Sequence, residues 1–236
     1  MEFQLKQDLD LILVPAGLFF LFTYHLYLLY RVLRHPSTTA IGYENHNWMA
    51  WVQTMMQTGN AGAAISVISN NKSGSTYVAF NCFSMCGFIG LWVGSSSSSA
   101  YNIVFILGNT SAATISLKDM TMFFAFLLSF GGFIQSVRYY VQANSIISMP
   151  NTDVPVNYVQ RLMLMGNNFW HIGLRLLYFA MVLLFWSFGP IPMFVSCVVM
   201  VIFLFFLDSN GEPLHQFGPV VKLPVKKVVE EVVVRA

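Results

Sequence analysis

Gly166-Asn167-Asn168-Phe169-Trp170-His171-Ile172-Gly173-Leu174-Arg175 opens the stretch that decides the class of this chain. It leads into 176–207, which holds no Asp, Glu, Lys or Arg, and Asp208 closes it. A water-soluble domain has little use for so long an uncharged apolar run, whereas about 20 such residues cross a bilayer. As one helix the run would measure about 48 Å at about 1.5 Å per residue, well over a hydrocarbon core of about 30 Å. Gly189-Pro190-Ile191-Pro192 interrupts it in the middle. Two readings follow. One is a single kinked span over 176–207, continued out of the membrane at its N-terminal side; the other is a tight hairpin of two short spans. We take the first, which makes four spans in all, with five as the alternative.

Composition supports the membrane class. Of 236 residues, 56% are hydrophobic and 9% charged, and the mean hydropathy is +0.62. Soluble domains carry about 25% charged residues. The net charge of +2 gives no argument for nucleic-acid binding. Cys82, Cys86 and Cys197 all sit in apolar runs and are odd in number, so they read as buried thiols rather than a disulfide framework. Cys82 and Cys86 stand four apart with no His or carboxylate beside them, which suits a packing face better than a metal or redox pair.

The other spans follow from charge-free runs. Leu11–Tyr30 (11–30) is the first, with Asp8 and Asp10 ahead of it, Pro15 in its early turns, and Arg31 and Arg34 behind it. Its front is not basic and no small-residue cleavage site follows, so it reads as a retained span and not a signal peptide. His35-Pro36-Ser37-Thr38-Thr39 is a turn. Trp48, Trp51, Val52, Met55 and Met56 then recur at helical spacing among polar residues, which predicts an amphipathic helix between the first two spans. The second span is 77–93, and its Ala79, Ser84, Gly87 and Gly90 predict close helix approach in the centre of the bundle. Ser95 to Ser99 reads as a loop. The third span, 120–137, follows Lys118 and Asp119, and its helical pattern runs on to Met149, past the bilayer. The fold class is therefore an all-α, polytopic membrane bundle in one domain, 1–210, with a mobile tail at 211–236.

Charge sets the orientation. Arg31, Arg34, Lys72, Arg138, Arg161 and Arg175 share one side of the four-span topology, which puts that side in the cytoplasm and the N-terminus outside. Of two glycosylation sequons, at Asn71 and Asn109, only Asn109 is then lumenal.

Leu9-Asp10-Leu11-Ile12-Leu13-Val14-Pro15, Tyr24-His25-Leu26-Tyr27, Pro36-Ser37-Thr38-Thr39, and Gly166-Asn167 to Leu176 followed by Phe188-Gly189-Pro190 together resemble a plant membrane-protein family, domain of unknown function 599. The resemblance covers roughly residues 5 to 210. It implies a plant origin, in the plasma membrane or an endomembrane, and four spans, and it brings no activity or catalytic residues. The family pattern implies an Arg-Asn pair where this chain has Asn70-Asn71.

No His-Glu-x-x-His, phosphate loop, dinucleotide fingerprint or Gly-x-Ser-x-Gly elbow occurs, and no carboxylate pair lies in a span. The expectation is no enzyme and no cofactor. His25, in the first span, could relay protons or sense pH; the plainer reading is a neutral histidine bonded to a neighbouring helix. His171 and Arg175, one turn apart behind Asn167 and Asn168, could form the mouth of a pathway or hold a lipid phosphate; the plainer reading is an interface arginine beside Trp170. Arg138, with Tyr139 and Tyr140, is a further pathway or anchor candidate. The leading functional expectation is a small oligomeric channel or transporter-type subunit in a lipid bilayer. A non-catalytic scaffold in a membrane complex is the alternative. Partners are the bilayer and a second copy or another membrane protein, not nucleic acid.

Overall fold

The computed structural model describes residues 2–95, 111–149 and 154–212. The chain runs through α1 (Glu2–Arg34), a 3-10 turn (Pro36–Thr38), α2 (Ala40–Thr58), α3 (Ala61–Ser95), α4 (Ala112–Ile147), α5 (Val156–Trp186) and α6 (Pro190–Asp208). Five of these, all but α2, are long and apolar enough to cross a membrane. The all-α bundle and the amphipathic helix between the first two spans are as expected.

The broken last span is corrected. Residues 176–207 do not form one kinked helix: α5 ends at Trp186, and α6 starts at Pro190 and runs back. Gly189 turns the chain with φ 131° and ψ 173°, a conformation almost confined to glycine, and Pro190 sits at the first turn of α6, where its missing N–H costs nothing. Three contacts fix the return. Trp186 Nε1 donates to Asp10 near the start of α1 at 3.1 Å; Cys197, mid-α6, lies against Gly17; and Arg175 pairs with Asp208 at the far end of α6. The hairpin alternative, five spans, is the one the chain adopts.

The bounds of the other three spans move as well. The second span runs over 61–95 rather than 77–93, and the third begins at Ala112, capped by Ser111, rather than at 120. α1 starts well before Leu11, so Pro15 lies inside it. Asn109, the Ser95 to Ser99 loop beyond Ser95, and the tail from 213 lie outside the described residues.

The α6 helix also calibrates the membrane. Its 19 residues rise about 28 Å, close to one hydrocarbon thickness. One boundary thus falls at Pro190, Trp186, Asp10 and Lys118, whose ammonium stands 5.4 Å over the Trp186 ring. The other falls at Asp208, Tyr24 and Arg175. α4 and α5, with 36 and 31 residues, run past the second boundary together; the length arithmetic implied this for α4, while the excess it found in 176–207 belongs to the hairpin. α2 packs on the overshooting part of α5.

α4 is the central helix, flanked by α3 and α5; α6 lies on α5 and α1 on α6. Between α4 and α5 the backbones nearly touch: a Cβ on Gly132 would stand 2.9 Å from the Gly173 Cα. Ser129 donates to the Gly173 carbonyl at 2.9 Å and Ser136 to that of Gly166 at 2.8 Å. The prediction that the second span occupies the centre is therefore overturned. α3 is an edge helix. Its Ser75, Ala79, Cys82 and Cys86 are buried against α4, whereas a Cβ on Gly87 or Gly90 would meet nothing within 4 Å.

Candidate functional site

The turn after α1 builds one wall. Pro36 starts the 3-10 turn, and Thr39, fully buried, caps α2: its Oγ1 accepts from Gly42 N at 3.2 Å and donates to the Pro36 carbonyl at 2.9 Å. Gly42 is required there, because a Cβ would stand 2.1 Å from the Pro36 oxygen. The same turn holds the end of α6. Asn210 N donates to Thr38 O at 3.1 Å, and Asn210 Nδ2 to Ser37 O at 3.2 Å. Pro36-Ser37-Thr38-Thr39 is thus the clasp that joins α1, α2 and α6.

From that clasp α2 lies along α5 through a row of polar contacts. Glu44 Oε2 accepts from His171 Nε2 at 2.9 Å. Asn45 bridges to both asparagines of α5, accepting from Asn167 Nδ2 and donating to Asn168 Oδ1, each at 3.0 Å. Gln160 Nε2 donates to the Met49 carbonyl at 2.8 Å. Burial works against ionisation of Glu44. The hydrogen bond and charge of His171, helped by Trp48 and Asn167, outweigh it and hold the carboxyl below its usual value. α2 ends at Gly59, in the left-handed conformation of a helix C-terminal stop.

Behind this row, at the membrane boundary, sits a charged trio. Asp208, 3% exposed, accepts from the Arg175 guanidinium on one oxygen and from the Tyr24 hydroxyl at 2.7 Å on the other. It ties three helices to one carboxylate. A buried carboxylate needs such partners, and here it has a charged and a neutral donor.

A cavity of about 500 Å³ opens beside the trio, between α1, α5 and the start of α2. Its polar lining is His25, Asn45, Asn168, His171 and Arg175; the rest is aliphatic, with Leu28, Leu29 and Val32 from α1 and Ile172 from α5. This size and mixture suit a small organic molecule. His25 Nδ1 lies 2.8 Å from the Leu21 carbonyl, which can only accept, so Nδ1 carries the proton and Nε2 of the neutral ring is an acceptor. That Nε2, and Nε and Nη1 of Arg175, are buried atoms with no hydrogen-bond partner among the described residues.

Three of the four residues singled out from the sequence therefore meet: His25, His171 and Arg175 line one cavity. Arg138 does not; it is exposed on α4, away from the pocket. The sequence reading missed Tyr24, Glu44, Asn45 and Asp208 as site residues. Asp208 had a signal, a lone carboxylate ending a charge-free run, because a charge at a membrane boundary needs a partner. Glu44 and Asn45 had none beyond lying on the polar side of an amphipathic helix.

A second cavity, of about 470 Å³, lies beyond the membrane boundary among Met55, Met56, Ile146, Met149, Val154 and Val159. Among the described residues no three His, Cys, Asp or Glu side chains gather as a metal site would require.

No curated protein and no solved structure matches this chain. A family described as proteins of unknown function, DUF599, matches it over residues 12–213, which takes in every helix that lines the pocket. The chain belongs to the DUF599 family.

Proposed function

We propose that this chain is a small transporter-type membrane subunit that takes an organic solute into the pocket between α1, α2 and α5. The observation that carries the reading is the convergence of His25, His171 and Arg175 on one cavity with aliphatic walls. A structural ion pair needs no cavity beside it, and an ionisable residue in a membrane-spanning helix, as His25 is in α1, is a functional-site signal by default. The chemistry is binding and passage, without catalysis.

The expected setting is a plant plasma membrane or endomembrane, with the N-terminus outside. Arg31, Arg34, Lys72, Arg138 and Arg161 then face the cytoplasm. With five spans the end of α6 comes to that side as well. The open face of α3 at Gly87 and Gly90 supports assembly of several copies, since small residues let helices approach in lipid.

Proteoliposomes test this. Purified protein should show saturable uptake of a solute, and Arg175→Lys should weaken it. A preparation that stays monomeric and passes no solute would overturn the reading. The accessory-subunit alternative has one observation in its favour, the methionine-lined cavity beyond the membrane, since methionines repack readily around an apolar helix of a partner. Proximity labelling with no reproducible neighbour would remove it.

A further inference from the structure

The pocket presents two kinds of unmet hydrogen-bonding need. His25 Nε2 is an acceptor, because Nδ1 carries the ring proton toward the Leu21 carbonyl. Arg175 Nε and Nη1 are donors, because Asp208 engages only Nη2. All three atoms are buried without partners among the described residues, and they belong to side chains that line the cavity, a costly arrangement unless something else meets the need. A ligand that satisfies both must offer one donor hydrogen and one acceptor oxygen on a single head. A carboxylic acid with its proton does so.

Charge leads to the same chemistry. Arg175 and Asp208 cancel, and they are the charged groups that act on His25. Tyr24, next to His25, is neutral and bound to Asp208. His171 shares the lining, but its Nε2 is held by Glu44 of α2. A bare anion beside this set would leave one uncompensated negative charge in a mostly apolar cavity. An anion that arrives with a proton leaves none, whether the proton stays on the acid or moves to His25 Nε2.

We infer that the pocket takes an organic acid together with one proton: an amphiphile whose acidic head stands between His25 and Arg175 and whose apolar body lies along Leu28, Leu29, Val32 and Ile172. The proposal rests on the pocket being the solute site, and it names the class of solute and its coupling to protons. The proton balance is simple. Above the acid's own pKa and with His25 neutral, each acid bound takes one proton from solution.

The test uses the full chain in nanodiscs of neutral phosphatidylcholine, with octanoate as probe. Calorimetry in two buffers of different ionisation heat should give close to one proton taken up per octanoate. The apparent affinity should fall about tenfold per pH unit from pH 7 to 8.5, the slope of one linked proton. Octanamide, which carries its own N–H donor and C=O acceptor, should bind with no such slope. Octanoate binding that is flat with pH, or that takes up no proton, overturns the proposal. His25→Phe, which removes the acceptor, should weaken octanoate at least tenfold at pH 7, and undiminished affinity in a folded variant also overturns it. Nanodiscs doped with oleate separate the sources. Competition of oleate with octanoate identifies a membrane-borne acid, and its absence a water-borne one. If octanoate and octanamide both fail while proteoliposomes carry another solute, the acid proposal falls and the transporter reading stands. If octanoate binds with its proton and nothing is carried, the transporter reading falls alone.

Discussion

Between α4 and α5, Ser129 and Ser136 each give a hydroxyl proton to a carbonyl across the seam, and Gly132 and Gly173 let the backbones meet. Around the cavity, His25 and Arg175 are only partly buried as residues, yet three of their nitrogens have no partner among the described residues. Both regions put polar groups inside a membrane bundle. The first satisfies each named group within the protein; the second leaves donors and an acceptor on side chains that line about 500 Å³ of space. Satisfied polar groups in lipid hold helices together, whereas unsatisfied ones beside a cavity are the mark of a ligand. The two faces of α5 thus serve the bundle differently along one helix, with Gly166 and Gly173 facing α4 and His171 and Arg175 facing α2, α6 and the pocket.

The contrast can be broken at either side. Asp208→Asn should have the largest effect, because it strands Arg175 and frees Tyr24; we expect about 3 kcal/mol, the low end for a broken buried pair since Arg175 stands at the membrane boundary. Thermal unfolding in detergent measures it, and a midpoint equal to the parent chain's would show that the trio is not what fastens α6. Next comes Gly132→Ala. Its Cβ would meet the Gly173 backbone at 2.9 Å, and overpacking of this kind costs roughly 1–3 kcal/mol. The same substitution at Gly87, where the face is open, should leave stability unchanged, so equal losses at both would refute the assignment of α4 as the central helix. Ser129→Ala removes one seam hydrogen bond and should cost about 0.6 kcal/mol, the usual size for such bonds in membrane bundles.

The smallest effect is one of pH. Glu44 is held below its ordinary value by His171. Its contribution to docking α2 is therefore complete above the unfolded value of roughly 4.3 and disappears as pH falls through the lower folded value. Hydrogen exchange of α2 should show loosening only below that window, and Glu44→Gln should remove the pH dependence. Loosening that begins near neutrality would mean that another group controls α2.

Much of this was legible in the chain. The uncharged run to Leu207 declared a membrane protein, and tryptophans and methionines at helical spacing declared α2. The length excess of the α4 segment agrees with a helix longer than a bilayer, whereas that of 176–207 came from a hairpin taken as one helix. The hairpin was harder. Gly189-Pro190 marked a break, but a break alone does not say whether the chain bends or returns; that depends on Gly189 adopting φ 131° and on Asp208 finding Arg175. Span limits drawn from charge-free runs were too short because Lys72 and Arg175 lie inside continuous helices. The glycines of 77–93 misled for a related reason. Small residues permit close packing wherever they occur, and only the fold decides which small faces meet. His25, His171 and Arg175 were identified from their chemistry alone, while their meeting in one cavity needed α6 to fold back between α5 and α1.

The central claim is that the pocket's unpartnered nitrogens are there for a ligand. Cryo-electron microscopy of the full chain in nanodiscs with octanoate at pH 6 tests it most directly. The account predicts density for one acid head touching both His25 Nε2 and Arg175, with Asp208 still on Arg175 and α6 returned beside α1. A collapsed pocket, in which His25 Nε2 and Arg175 Nε are satisfied by the protein's own side chains, would contradict it.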